Sequence, residues 1–165
     1  FLTYLFKFYL FFKNFRNTRI KRNYRKFVKK FVGSKETELS ISEIIKKFDP
    51  NNKFDKIFFQ IDIEGGEYAI LKDLIYHQDL ISGLVIEFHD TNKHLNEIKE
   101  FIDLLNLNLI HTHINNVGGI TSEGYPKVIE LTFSNCNVKT KVNKLPHNLD
   151  KPNSNERFEY VAYLN

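Results

Sequence analysis

The chain has 165 residues, of which 42% are hydrophobic, and this length is typical of one domain. Its only cysteine, Cys136, excludes an internal disulfide framework and fits a reducing compartment, so we expect a cytoplasmic protein. Residues 1–35 contain 11 of the 24 lysines and arginines and no acidic residue, which leaves 13 basic against 20 acidic residues in the remainder. The net charge of +4 therefore comes from the N-terminal segment, and we predict no nucleic-acid partner.

Residues 1–32 form an aromatic and basic segment that we set apart from the domain in residues 33–165. Residues 1–12 are almost all apolar, but a bilayer span needs about 20 residues. Four interpretations stay open: an interfacial membrane helix, a phosphate-binding arm, the remnant of a truncated domain, or a segment that packs once missing sequence is supplied. Because the chain contains no methionine, even at position 1, we expect a fragment of a longer protein.

Residues 33–165 show alternating helical and strand patterns. Ser40 and Glu43 have the spacing of a capping box, and apolar residues then recur at helical spacing. The predicted order is helix, strand, helix, strand, helix, strand, strand, with strands at residues 56–63, 83–89, 107–114 and 127–133.

The first predicted strand is so continuously apolar that it fits a strand covered on both faces, as in a parallel sheet. No helix fits between the last two strands, so we expect them to pair antiparallel at an edge of the sheet. The predicted fold class is α/β, with parallel strands, helices on both faces and a C-terminal antiparallel strand pair.

Ionisable residues stand at the ends of the first two strands. Asp62 and Glu64 alternate after the first strand, as Glu87 and His89 do at the end of the second. Ligands of open α/β sheets bind at the carboxyl ends of strands, so these groups meet at one rim if the strands are neighbours. There, a carboxylate–imidazole pair could act as a general base toward a hydroxyl, or the group could hold a divalent cation. Alternatively, Asp62 and Glu64 cap the next helix and Glu87 satisfies backbone donors, and we interpret Glu67 as a capping residue.

Two histidines, His111 and His113, lie two residues apart on the third strand and therefore on one face. Such a pair can ligate a metal, but no third ligand is evident, and packing in the core is a further interpretation. We assign no metal and choose substrate binding by His113, Asn115 and Asn116 as the prediction.

The residues at the first two strand ends resemble those of a known family. Phe59–Leu71 contains the pattern Asp-x-Glu-Gly-x-Glu, and Val85–His89 is an apolar strand that ends in Glu-x-His. Both are similar to the C-terminal half of the FkbM-type methyltransferases, and residues 111–116 and 128–133 resemble closing strands of a subgroup. The resemblance covers residues 33–165 and implies a partial, Rossmann-like class I fold.

The resemblance also implies a function. It indicates S-adenosylmethionine as the cofactor and a hydroxyl of a sugar or other small or glycan acceptor as the substrate. On this resemblance Asp62, Glu87 and His89 are catalytic, and Asp62 and Glu64 contact the cofactor.

The sequence departs from the family in two respects. Gln60 replaces the usual lysine, and the glycine-rich strand–turn–helix of the cofactor site is missing, since the seven glycines form no G-x-G. We therefore expect the C-terminal half of an O-methyltransferase, inactive as this fragment. The alternative is a non-catalytic α/β binding module that contacts a membrane surface through residues 1–32.

Overall fold

The computed structural model describes residues 32–33, 39–53, 55–136 and 144–163. The interpretations of the N-terminal segment thus lie outside the described residues, except for Val32. None of the described helices is long and apolar enough to cross a bilayer.

The described elements follow the predicted order. They are α1 Ile41–Phe48, β1 Ile57–Ile61, α2 Leu71–Tyr76, β2 Ile81–His89, α3 Leu95–Leu104, β3 Asn108–Ile114, β4 Val128–Ser134, β5 Lys144–Leu145 and β6 Ala162–Tyr163. A 3₁₀ turn over Glu67–Ile70 leads into α2. The short strands β5 and β6 pair antiparallel with each other in the otherwise irregular tail.

The predicted capping box at the start of α1 is confirmed. The backbone N–H of Glu43 donates to Ser40 Oγ at 3.1 Å, and the backbone N–H of Ser40 donates to Glu43 Oε2 at 2.9 Å. These two bonds satisfy donors that a helix start leaves unpaired. They fix the helix so that its apolar side can pack on the sheet.

The four long strands form one sheet in the order β1-β2-β4-β3. β1 and β2 are parallel, and β4 is antiparallel to both β2 and β3. The antiparallel pairing of the last two strands is confirmed, but β4 lies inside the sheet and not at its edge. The sheet is therefore mostly antiparallel with one parallel pair, and it does not have the predicted mainly parallel arrangement.

Side-chain burial explains this strand order. In β4, Leu131 and Phe133 are buried and stand opposite Ile86 and Leu84 of β2. β3 begins with exposed residues, including Leu109, which suits an outer strand. β4 therefore takes the inner position, because its buried apolar side chains pack beside the apolar side chains of β2.

The hydrophobic core lies on one face of the sheet. Phe59, Leu84 and Phe133 are fully buried there, in neighbouring strands. The ring of Phe101, from α3, packs against Phe88 and Phe133 with centroid separations of 6.2 and 5.8 Å. Each of the three described helices contributes to this same core: Ile41, Ile44, Ile45, Leu71, Leu74, Ile98 and Phe101.

The opposite face of the sheet, called the polar face below, carries polar strand residues together with Phe58, Val85 and Val128. The strand registers place on it the side chains of Gln60, Glu87, Glu130, Thr132, His111 and His113. Phe58 is only partly buried, so β1 is not enclosed by described residues on both faces. The prediction of helices on both faces is thus wrong for the described part of the chain, because the apolar run of β1 is interrupted on one side by Gln60.

Candidate active site

The carboxyl ends of β1 and β2 meet at one rim, as predicted for neighbouring strands. Ile61 pairs with Ile86 in the parallel ladder, so the residues after β1 lie beside the last residues of β2. One side-chain ligand atom from each of Asp62, Glu64 and His89 falls within 4.8 Å of the others. The acidic residues are exposed and the imidazole is partly buried, so the group borders solvent.

Tight backbone turns follow both strands at this rim. Glu64 has a φ of 51° and Gly65 a φ of 94°, and Asp90, directly after β2, has a φ of 51°. Glycine adopts such angles without strain, whereas an ordinary residue in an unusual backbone conformation costs about 1–3 kcal/mol. Backbone strain of this kind concentrates at functional sites, and here it places Glu64 beside His89.

A buried carboxylate–imidazole pair lies at the base of the rim. Glu67 is 0% exposed, and its Oε1 lies 2.7 Å from Nδ1 of His89. The backbone N–H of Gly65 donates to the same oxygen at 3.1 Å. The capping interpretation of Glu67 accounts only for the bond to Gly65, since its principal partner is His89.

The hydrogen bond to Glu67 raises the pKa of His89 to about 9. His89 is therefore protonated at neutral pH, and its Nε2 lies 3.5 Å from Glu64 Oε2. A protonated imidazole donates hydrogen bonds and cannot accept a proton. In this state His89 supplies positive charge and a hydrogen-bond donor, and its catalytic role stays a prediction.

Glu87 is the neighbouring group best suited to hold a proton. Burial raises its pKa, the hydrogen bond from Asn115 offsets part of this rise, and the nearby Asp62 carboxylate adds to it. Asn115 Nδ2 donates to Glu87 Oε1 at 2.7 Å, and the Asn115 side-chain oxygen accepts from Val117 N at 2.8 Å. These contacts fix the carboxylate on the polar face next to His89.

The structure separates the three predicted substrate-binding residues. Asn115 contacts the site through its bond to Glu87. His113 faces the tail instead, with Nε2 2.9 Å from Asn153 Oδ1. Asn116 is fully buried and exchanges two hydrogen bonds with the backbone of Ser154, at 2.8 and 3.0 Å. Only Asn115 is thus brought to the rim, and the binding roles stay predictions.

Two residues at the rim were not predicted from the sequence to belong to the site. Glu67 was interpreted only as a capping residue, and Tyr68 was given no role. The Tyr68 hydroxyl donates to the backbone carbonyl of His89 at 2.5 Å, and its ring stacks on His94 at a centroid distance of 3.8 Å. Burial raises the pKa of this phenol, so it stays protonated. In the sequence, the one feature that pointed to Tyr68 is its position directly after the Asp-x-Glu-Gly-x-Glu pattern.

Comparison with known proteins supports the resemblance. A family model described as the methyltransferase FkbM domain matches residues 6–116, which include both strand ends of the rim. Searches of curated proteins and of solved structures gave no significant match. The match begins within residues 1–32 and ends before β4, so the division at residue 32 stays a prediction. Because the match covers about two thirds of the 165 residues, the predicted membership is confirmed, and the chain belongs to the FkbM methyltransferase family.

Proposed function

We propose that the chain belongs to an S-adenosylmethionine-dependent O-methyltransferase that acts on a hydroxyl of a sugar or other small or glycan acceptor. The described residues would form the acceptor side of its site, in a Rossmann-like domain. The observation that carries the proposal is the position of the protonated His89 between Glu67 and Glu64, beside Glu87, at the carboxyl ends of a parallel strand pair.

The acidic rim fits the charge of the proposed cofactor. S-adenosylmethionine supplies an electrophilic methyl group on a positively charged sulfur when it is bound. Asp62 and Glu64 are exposed carboxylates at the carboxyl end of β1, and opposite charge there favours a cation. These two residues would therefore face the cofactor.

The acceptor requires a hydrogen-bond donor and a proton acceptor. Methylation of a hydroxyl releases a proton, and a positioned base accelerates its removal. Glu87 would take this proton, since burial raises its pKa above that of an ordinary glutamate. His89, held by Glu67, would donate to an oxygen of the acceptor and orient it.

A transfer assay tests the proposed activity. The protein is incubated with S-adenosylmethionine that carries a labelled methyl group and with a panel of monosaccharides and glycosides, and products are detected by mass spectrometry. The 165-residue chain is compared with the extended form, which is the product of the complete reading frame of its gene. We expect O-methylated product from the extended form. Absence of product from both forms would contradict the proposal and favour a binding module.

The 165-residue chain alone should bind S-adenosylmethionine weakly, with a Kd of about 1 mM or higher. The reason is that it offers the acidic rim without a glycine-rich turn for the nucleotide part. Isothermal titration calorimetry measures this affinity. The residual binding should weaken further in Asp62→Asn and stay unchanged in Asp103→Asn, an exposed control on α3. Submicromolar binding would show that the cofactor site is complete in this chain.

A further inference from the structure

A second cluster of ionisable groups lies on the polar face of the sheet, two strands away from β2. His111 and His113 project from β3 on the same side, opposite Thr132 and Glu130 of β4. Their side chains are 29% and 11% exposed, so both are largely enclosed while a small ion can still reach them. The sequence alone provided no third partner for this pair.

The tail supplies the third group, Asp150, whose side chain is 10% exposed. Asp150 Oδ1 lies 3.0 Å from His111 Nε2, and Oδ2 lies 3.7 Å from His113 Nδ1. The carboxylate is held in place because the backbone N–H of His147 donates to Oδ2 at 2.7 Å. One ligand atom from each of the three side chains lies within 4.8 Å of the others.

A hydrogen bond on the far side of His113 fixes how this ring faces the carboxylate. Nε2 of His113 lies 2.9 Å from Asn153 Oδ1, and an amide oxygen only accepts, so Nε2 carries the proton. In the neutral ring, Nδ1 is then an unprotonated acceptor facing another acceptor, Asp150 Oδ2. Two facing acceptors repel each other unless a proton or a metal ion lies between them. A partner on the outer ring nitrogen is also the usual support of a metal-bound histidine.

We propose that His111, His113 and Asp150 bind one zinc ion. Two imidazoles and one carboxylate are a zinc donor set, with metal–ligand bonds of about 2.0–2.2 Å. Ligand atoms at this distance from one tetrahedral ion lie about 3.3 Å from each other. The separations of Asp150 from His111 and from His113, 3.0 and 3.7 Å, lie on either side of that value. Because the ligands come from both β3 and the tail, the ion would fasten the tail to the polar face. Three protein ligands leave a fourth position open, as in zinc sites that bind water.

Zinc titration of the whole chain tests the proposed site. Protein treated with EDTA and dialysed should bind one equivalent of zinc in calorimetry, and thermal unfolding should shift to higher temperature when zinc is added. Asp150→Asn and His111→Ala should abolish stoichiometric binding, while the control His94→Ala, on a separate surface, should bind as the unsubstituted protein does. Asn153→Ala, which keeps all three ligands, should weaken binding roughly ten-fold or more.

Two outcomes would overturn the proposal. One is the lack of stoichiometric zinc binding by the unsubstituted protein. The other is binding that survives Asp150→Asn but is lost in Asp62→Ala, which would place the ion at the acidic rim. Circular dichroism shows whether each variant folds. If a ligand variant does not fold, the Asn153→Ala variant, which keeps all three ligands, still tests the site.

Discussion

Substitution of Glu67 by glutamine should lower the free energy of unfolding by about 2–4 kcal/mol at pH 7. Glu67 is fully buried, and within the described part of the chain it is hydrogen-bonded to the His89 ring and to the backbone N–H of Gly65. Glutamine keeps the shape of the side chain but removes its charge. The imidazolium of His89 would then lose its closest counter-charge, and its pKa should fall from about 9 toward the ordinary value of 6.5.

Urea denaturation and an NMR titration of the His89 ring measure the two effects of Glu67→Gln. Glu64→Gln is the matched control, because Glu64 is exposed and lies at the longer distance of 3.5 Å from the same ring. This variant should change stability by less than about 1 kcal/mol. A pKa of His89 that is unchanged in Glu67→Gln would contradict the assignment of the buried pair.

The same pair makes the stability of the protein depend on pH. The pKa of His89 is raised on folding, so its contribution is complete below about 6.5 and is lost as the pH rises through about 9. Each unit of pKa difference corresponds to about 1.4 kcal/mol, so the rise from 6.5 to about 9 corresponds to at most about 3.5 kcal/mol, and solvent screening of the partly exposed ring reduces the loss to the order of 2–3 kcal/mol. In Glu67→Gln this part of the pH dependence should disappear.

Alanine at Asp62 or at His89 should reduce kcat/KM for methyl transfer by about 100-fold or more in the active form of the protein. Asp62 is exposed, so its loss should affect turnover much more than folding. The control is His77→Ala, because His77 contacts Ser42 and Asp73 on the helices and not the rim. Equal activities of the Asp62 or His89 variants and the His77 variant would remove the site assignment.

The pH profile of this activity separates the two proton-binding groups. If Glu87 accepts the proton, the rate should fall in acid, and at a higher pH than for an ordinary glutamate, since burial raises its pKa. The rate should fall again above about 9, where His89 loses the proton that makes it a donor. A rate that instead rises through pH 9 would identify His89 as the base.

The parts of the site that could be predicted from sequence are local in the chain. The acidic residues after β1 and the Glu-x-His end of β2 each follow an apolar run, so their positions at strand ends were readable from periodicity. The contact between Glu67 and His89 was missed because these residues are 22 positions apart and nothing local distinguishes a buried carboxylate from a capping one. Asp150 was missed for the same reason, since the tail has no periodic pattern that predicts where it docks.

The order of the strands could not be derived in this way either. Alternation of apolar residues shows that a segment is a strand, but not which strand it pairs with. β3 and β4 were expected to pair at an edge because the connection between them has no room for a helix, but the pattern did not show that β4 would be the inner strand of the pair. Its inner position depends on the match between Leu131 and Phe133 and their partners in β2, which becomes visible only when the sheet is assembled.

The inner position of β4 has a consequence for biosynthesis. Residues 128–134 lie beyond the end of the family match at residue 116, yet they provide the neighbour along one side of β2, the strand that carries Glu87 and His89. Until Ser134 has left the ribosome, that side of β2 has unpaired backbone groups and a row of apolar side chains, which is an aggregation hazard. A shortened gene that stops at the boundary of the match should therefore yield insoluble protein, although every rim residue would be present.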